Sequence, residues 1–407
     1  MKIRIANASL AIASIGLALL IAECALRLCG FEYPRFHQPD LQTGWALRPN
    51  HEGWWRSEGQ AWVSINRHGQ RDREHNKEKP PDTLRIAVLG DSFAEALQVP
   101  VEKTFWAVLE QQLNACRPFG RRLVEVINFG VSGYGTAQEL LTLQSRVWDF
   151  APDIVLLAFY TGNDIQNNSK RLEPPAPMPF FIHRDGVLVL DDSFRQRTLT
   201  RWSVGAAGAV YRTAADQLRL LQFLRFVSAR VAAQPGPGAD KINARQPTDM
   251  ALDLRTQLYR EPDDADWIEA WAITEELLAM LRSEVASRNA RFILATLSND
   301  IQVHPDRNIR EAFQRQVGTD SLFHADQRLR EVAARHGIEI ITLAPTMQRI
   351  AEETGGFLHG FGNKAFGHWN ENGHRVAGSL LNPHKLAQRH RFRAPLRGSY
   401  FYCIIAA

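Results

Sequence analysis

The chain has 407 residues, of which 45% are hydrophobic and 23% charged, and its formal net charge is +4. That composition excludes wholesale disorder and a multi-span membrane protein, and the length suits one large α/β domain with insertions or a domain with a subdomain. A small net charge without a long Lys/Arg stripe argues against a nucleic-acid partner. The four cysteines, Cys24, Cys29, Cys116 and Cys403, form no close C-x-x-C pair, and His368 and His374 lack the i, i+4 spacing of two ligands on one helical face. No metal site and no cofactor are expected from that pattern.

Lys2 and Arg4 precede an apolar stretch over residues 5–22, which as a helix would be about 27 Å long, close to the thickness of a bilayer core. Basic residues ahead of the stretch keep the N-terminus in the cytoplasm and send the rest of the chain across. Glu23 and Cys24 interrupt the small-x-small pattern that a signal peptidase reads. Residues 1–30 are therefore expected to be an uncleaved single-pass anchor in the inner membrane, with a cleaved signal peptide as the alternative, and the remaining chain on the periplasmic, extracytoplasmic side.

Residues 31–81 are rich in Trp, Pro, Asn and charge, and the alternation over 61–65 predicts a strand or hairpin. They read as a lead-in to a domain over 82–382. Within that domain, short apolar runs at 84–89, 124–127, 154–159, 292–297 and 338–343 predict buried strands. Helical spacing separates them: Phe105, Val108, Leu109 and Leu113; Leu140, Leu143 and Val147; Trp267, Trp271, Leu278, Leu281 and Val285; and the run 329–334. The alternation predicts a three-layer α/β/α sandwich around a mainly parallel, five-stranded, flavodoxin-like sheet, with chemistry at the carboxyl ends of the strands.

A helical insertion is expected over about 170–264, where turn-rich pieces flank a run carrying Leu218, Leu221, Phe223, Leu224 and Val227. Such a run more often packs into a core than lies on a membrane surface. Residues 383–407 hold Lys385, Arg389, Arg391, Arg393 and Arg397 and read as a frayed basic tail.

Three of the expected strands end in distinctive turns. Leu89-Gly90-Asp91-Ser92-Phe93 puts a hydroxyl at the carboxyl end of a buried strand, where a serine can also be a plain helix cap. The glycines of Asn128-Phe129-Gly130-Val131-Ser132-Gly133-Tyr134-Gly135 turn the backbone tightly and bare its N–H groups to an anion. Their spacing is G-x-x-G-x-G rather than the dinucleotide-binding G-x-G-x-x-G. Tyr160-Thr161-Gly162-Asn163-Asp164 offers a side-chain amide that can join backbone donors around a developing oxyanion, or form an ordinary turn. Near the end, Gly367-His368-Trp369-Asn370-Glu371-Asn372-Gly373-His374 supplies an imidazole in a loop before a last helix.

In the order and spacing of these four blocks, across roughly residues 84–378, the sequence resembles the SGNH hydrolases, a branch of the GDSL-type esterases and lipases, and its anchor and lead-in resemble membrane-tethered bacterial members. The resemblance implies Ser92 as nucleophile and His368 as general base. It also implies an oxyanion hole made of the Ser92 and Gly133 N–H groups and the Asn163 side-chain amide. The implied activity is removal of an acyl group from an ester, with an acylated cell-envelope carbohydrate as the expected substrate. The alternatives are an O-acyltransferase for an envelope polysaccharide and a carbohydrate-binding relative with decayed catalysis.

The sequence departs from the family at one point. An aspartate two or three residues before the histidine orients the ring in most members, and here those positions are Phe366 and Ala365. Either a backbone carbonyl or a carboxylate from a distant loop holds His368, or Ser92 and His368 act as a dyad. His374 is expected to be a packing or capping residue.

Overall fold

The computed structural model describes residues 2–173, 176–232, 256–362 and 365–381. Helix α1 (Lys2–Leu28) is followed by two antiparallel hairpins, β1 (His37–Asp40) with β2 (Gly44–Leu47), and β3 (His51–Trp55) with β4 (Ala61–Ile65). The second is the hairpin expected from the 61–65 alternation; the first had no such signal. Strand β5 (Thr83–Gly90), the short helix α2 (Ser92–Glu95), α3 (Phe105–Cys116), β6 (Leu123–Asn128), α4 (Thr136–Ser145) and β7 (Ile154–Tyr160) come next. After α5 (Asp164–Asn167), the insertion contains the hairpin β8 (Phe180–Arg184) with β9 (Val187–Asp191), then α6 (Thr198–Val204), α7 (Ala206–Gln217) and α8 (Arg219–Ala232). The chain returns through α9 (Ala265–Ser287), β10 (Arg291–Leu297), α10 (Arg307–Val317), α11 (His324–His336), β11 (Glu339–Thr342), α12 (Ala344–Thr354) and α13 (Glu371–Leu380). The 383–407 tail and the Pro-rich turn near 235 lie outside the described residues.

The central sheet has the order β11-β10-β7-β5-β6 with every pairing parallel, so the protein is a three-layer α/β/α sandwich of the flavodoxin-like order. All eight residues of β5 and all seven of β7 are buried, as strands covered on both faces must be. Period-2 alternation divides the core. Ala87 and Leu89 face a layer that includes Leu140, Leu143, Trp271, Leu278 and Leu329, whereas Leu84, Ile86 and Val88 face Phe105, Trp106, Leu109, Met347 and Val376.

The lead-in is bound to this sandwich. Phe36, Leu47, Val63 and Ile65 form one apolar cluster with Leu97, Val131 and Tyr134, and burying each large apolar side chain contributes about 1.5–3 kcal/mol. The Trp45 indole donates to the Ser132 carbonyl at 2.8 Å, and Asp72 accepts the Asn128 N–H at 2.9 Å. The buried Arg85 guanidinium collects the carbonyls of Asn76, Lys77, Glu78 and Phe150, which fastens the end of the lead-in under the sheet.

The insertion corrects one expectation. Its apolar run does form a helix, α8, but Leu218, Phe223, Leu224 and Val227 are exposed because α8 packs against α7 and the end of α1 instead of the sandwich. Helical spacing defined an apolar face; it carried no information about what covers that face.

Candidate active site

Between residues 83 and 99 every position is buried except Ser92. The cause is local. Strand β5 stops at Gly90, where an added Cβ would press on Ala94 and on the Ala158 carbonyl, so only glycine lets α2 begin this close to β7. Asp91 caps α2 by accepting the Phe93 N–H at 2.9 Å, and Ser92, the first residue of the helix, is left facing outward at the carboxyl edge of the sheet.

Opposite it, His368 sits in the loop before α13. Its Nε2 is 2.9 Å from Ser92 Oγ, and its Nδ1 is 2.5 Å from Glu58 Oε2. The second oxygen of Glu58 accepts the His368 backbone N–H at 2.8 Å. An ionised carboxylate can only accept, so Nδ1 carries the proton and Nε2 is free to accept from the serine hydroxyl. Burial disfavours charge on His368, but the hydrogen bond and charge of Glu58 outweigh it and hold the imidazole above its ordinary pKa. Burial likewise raises Glu58, and its contacts with His368 more than reverse that, leaving the carboxyl below its ordinary value.

Glu58 comes from the β3–β4 turn. Trp55 Nε1 ties that turn by donating to the Glu58 carbonyl at 2.8 Å, and a Cβ on Gly59 would meet the Gln98 carbonyl. The other side of the contact is Gly367, at φ +115°, where an added Cβ would collide with the Glu58 carboxylate. Asp300 accepts the Gly367 N–H at 3.1 Å, while His359 Nδ1 donates to the Gly367 carbonyl at 2.7 Å. Phe366 instead stacks on His304. His374 is fully buried, accepts the Phe105 N–H at 3.3 Å and stacks on the Phe105 ring; burial, with lesser help from nearby cations, lowers its pKa to about 3. It is a neutral packing residue, remote in kind from a general base.

Gly133 lies at φ +77° with the Trp45 ring against it. Asn163 precedes α5, and its amide helps to offset the burial of the Asp91 carboxyl. Next to these, Glu95 is fully buried yet ionised: burial would raise its pKa, and His37, 2.6 Å from Oε1, together with the Ser132 hydroxyl lowers it. Behind the serine lie three fully buried carboxyls, Asp91, Glu139 and Asp164. Burial pushes Asp91 up to about 6, and burial plus mutual repulsion pushes Glu139 and Asp164 well above the usual carboxylate range.

The structure thus brings Ser92 and His368 together and adds Glu58, which the sequence did not single out. Its only signal was a Ser-Glu-Gly-Gln turn inside an alternating Trp-rich run. Among the described residues no cluster of His, Cys, Asp and Glu could hold a metal ion.

No protein-family model matches the chain, and no curated protein matches it. Among solved structures it is similar to the acetyl xylan esterase AlAXEase, at 13% identity over 73% of this chain and 98% of that one, with a TM-score of 0.37. It is also similar to a lipolytic protein of the G-D-S-L family from Desulfitobacterium hafniense, at 11% identity over 75% and 99% with a TM-score of 0.34. A catalytic mutant of an acetylxylan esterase from Geobacillus stearothermophilus is 12% identical over 75% and 94%, with a TM-score of 0.35.

Proposed function

We propose that the protein is a membrane-tethered serine acyl-ester hydrolase or transferase acting on an O-acylated carbohydrate, with Ser92 as nucleophile, His368 as general base and Glu58 as the acid that orients it. The observation that carries this reading is the unbroken hydrogen-bond line from Glu58 through His368 to Ser92. Ser92 Oγ bonds to the ester carbonyl carbon while its proton passes to His368 Nε2. The Ser92 and Gly133 N–H groups and the Asn163 amide receive the oxyanion. Collapse of the intermediate breaks the ester C–O bond, and His368 returns the proton to the departing alkoxide. A water or a second hydroxyl then gives its proton to His368 and attacks the acyl-enzyme, releasing the acid or a new ester and restoring Ser92.

Glu58 removes the reason for reading the chain as a decayed relative, since the missing aspartate has a replacement. The carbohydrate is supported by the hairpin that carries Glu58. Its Trp54 and Trp62, with rings 5.7 Å apart, line a cleft of about 770 Å³ with Glu52, Gln60, Ser64 and Arg73, a neighbouring subsite that Glu58, Ser92 and His368 do not line. Indole faces beside polar side chains suit a sugar ring, which presents C–H on one face and hydroxyls at its edge. Helix α1 contains a 20-residue segment, Ser9–Leu28, long and apolar enough to cross a membrane. We read the apolar part of α1 up to Ala22 as the anchor, with Glu23 and the rest of the chain on the periplasmic side.

The test is to incubate the full chain in detergent or lipid with a short-chain aryl ester, with and without an oligosaccharide acceptor, and to follow Ser92 by mass spectrometry. Ester cleavage with a transient acyl adduct on Ser92 is expected. Acylated oligosaccharide in the second arm would assign transfer. Absence of both cleavage and adduct would overturn the enzyme reading.

A further inference from the structure

Helices α6 to α8 present an apolar surface that the sandwich does not cover. On α8, Leu220, Phe223, Leu224 and Val227 follow i, i+3, i+4, i+7 spacing, and Leu224 is 55% exposed. On α6 and α7, Leu199 is 80% and Val210 70% exposed, and Trp202 and Tyr211, both exposed, lie with rings 5.8 Å apart. Isolated exposed apolar residues are ordinary, but a run of them across three consecutive helices marks a surface with a partner.

Position identifies that partner. The outer end of α1 is joined to α8: Glu23 accepts the N–H groups of Arg219 and Leu220 at 3.0 and 2.8 Å, and the Arg27 guanidinium donates to the Gln217 carbonyl. Just past α1, Phe31 packs edge-on against Phe223 and Phe226, Tyr33 packs against Phe226, and the Arg225 guanidinium lies over Tyr33. If the apolar 5–22 stretch fills the hydrocarbon core, Glu23 lies in the headgroup layer, and α8 starts at that level. The charges agree. Residues 198–232 hold Arg201, Arg212, Arg219, Arg225 and Arg230 and one acid, Asp216; Arg48 neutralises Asp216 and Glu32 pairs with Arg219, which leaves four arginines without an acidic partner among the described residues, inside or outside the segment. Apolar residues with Trp and Tyr among arginines are the composition of a helix lying in a membrane interface, where guanidinium groups meet lipid phosphates.

We propose that the exposed face of α6–α8 lies on the periplasmic leaflet of the same bilayer that α1 spans, so that the protein is held by two membrane contacts instead of a single flexible tether. The proposal rests on reading α1 as a span, and the test separates the two.

The full chain, carrying a fluorescent non-natural residue at Leu17, at Leu224 or at Leu199, is reconstituted into vesicles of phosphatidylethanolamine and phosphatidylglycerol with and without doxyl-labelled lipid. All three probes should be quenched by the doxyl lipid, by about twofold or more for residues at the acyl boundary. Quenching at Leu17 with none at Leu224 and Leu199 would overturn the proposal and leave the anchor standing, and the face would then belong to a protein partner. No quenching at Leu17 would overturn the span and the proposal together.

Discussion

Glu58 and His368 lie 310 residues apart in the chain and meet through two hydrogen bonds, one to the imidazole Nδ1 and one to the histidine's own backbone N–H. Both the ring's tautomer and the loop's backbone are thereby held by one carboxylate. In serine proteases, removing the corresponding acid costs ~10⁴-fold in turnover. Glu58→Gln is expected to lower the rate of ester cleavage by at least ~10²-fold while leaving the melting temperature nearly unchanged. A rate within a few-fold of wild type would remove Glu58 from the mechanism.

The same pair sets the pH profile. In the proposed mechanism His368 acts only when neutral, and Glu58 holds its pKa above the ordinary 6.5. The acid limb of kcat/KM should therefore fall off at a pH above 6.5, and the residual activity of Glu58→Gln should have its limb at lower pH. Folding has the opposite dependence: stabilisation of the charged imidazole is complete below 6.5 and is lost as pH rises through the raised value. A limb that stays in place in Glu58→Gln would show that the carboxylate does not tune the base.

Gly367→Ala offers a subtler perturbation, since the new methyl group must displace the Glu58 carboxylate. The expected result is a loss of rate approaching that of Glu58→Gln with little change in binding. Phe366→Asp, which puts an acid where the SGNH pattern has one, should add nothing, because Nδ1 is already occupied. A tenfold gain from Phe366→Asp, roughly 1.4 kcal/mol of transition-state stabilisation, would mean that Glu58 does not hold the ring in solution.

Asn163→Ala is expected to cost ~10²- to 10³-fold in turnover, the usual penalty for one lost oxyanion donor, with a smaller change in KM. A rise in KM with turnover unchanged would place Asn163 in substrate binding instead.

The carboxyls behind the serine make a thermodynamic prediction. Asp91, Glu139 and Asp164 have raised pKa values, so the folded protein binds more protons than the unfolded chain, and stability falls as pH rises above the ordinary carboxylate range. For Asp91 the window runs from 3.8 to about 6; for Glu139 it opens at 4.5 and runs upward. Each proton so held costs about 1.4 kcal/mol per pH unit within its window. Glu139→Gln should raise the melting temperature at pH 8 and change it little at pH 4. Equal effects at both pH values would show that Glu139 does not titrate in this range.

The sheet was legible because each central strand is a short apolar run closed by Gly, Asn or a polar turn, and burial on both faces writes itself as continuous hydrophobicity. The meeting of Ser92 with His368 was legible for a related reason, since a tight turn at the end of a strand or before a helix leaves a local motif. Glu58 left none: an acid in a hairpin turn resembles any solvated turn, and only the fold of the lead-in onto Leu97, Val131 and Tyr134 brings it to the histidine. The exposed face of α8 was hidden differently, because an amphipathic period is the same whether protein or another phase meets it.

One consequence of the Glu58 hairpin concerns where this protein can be cut. The stretch that connects α1 to the sheet is also the stretch that carries Glu58, so in the proposed reading tether and catalyst share a single segment of chain. Cleavage just after α1 would leave Glu58, Ser92 and His368 on one fragment, held at the bilayer by α6–α8 alone. Cleavage in the 70s would release a fragment with all five core strands, Ser92 and His368, whose turnover would depend on whether the severed lead-in stays attached through its apolar cluster alone. Comparing the activities of these two cleaved forms would show whether shedding and silencing can be separated by the choice of a single peptide bond.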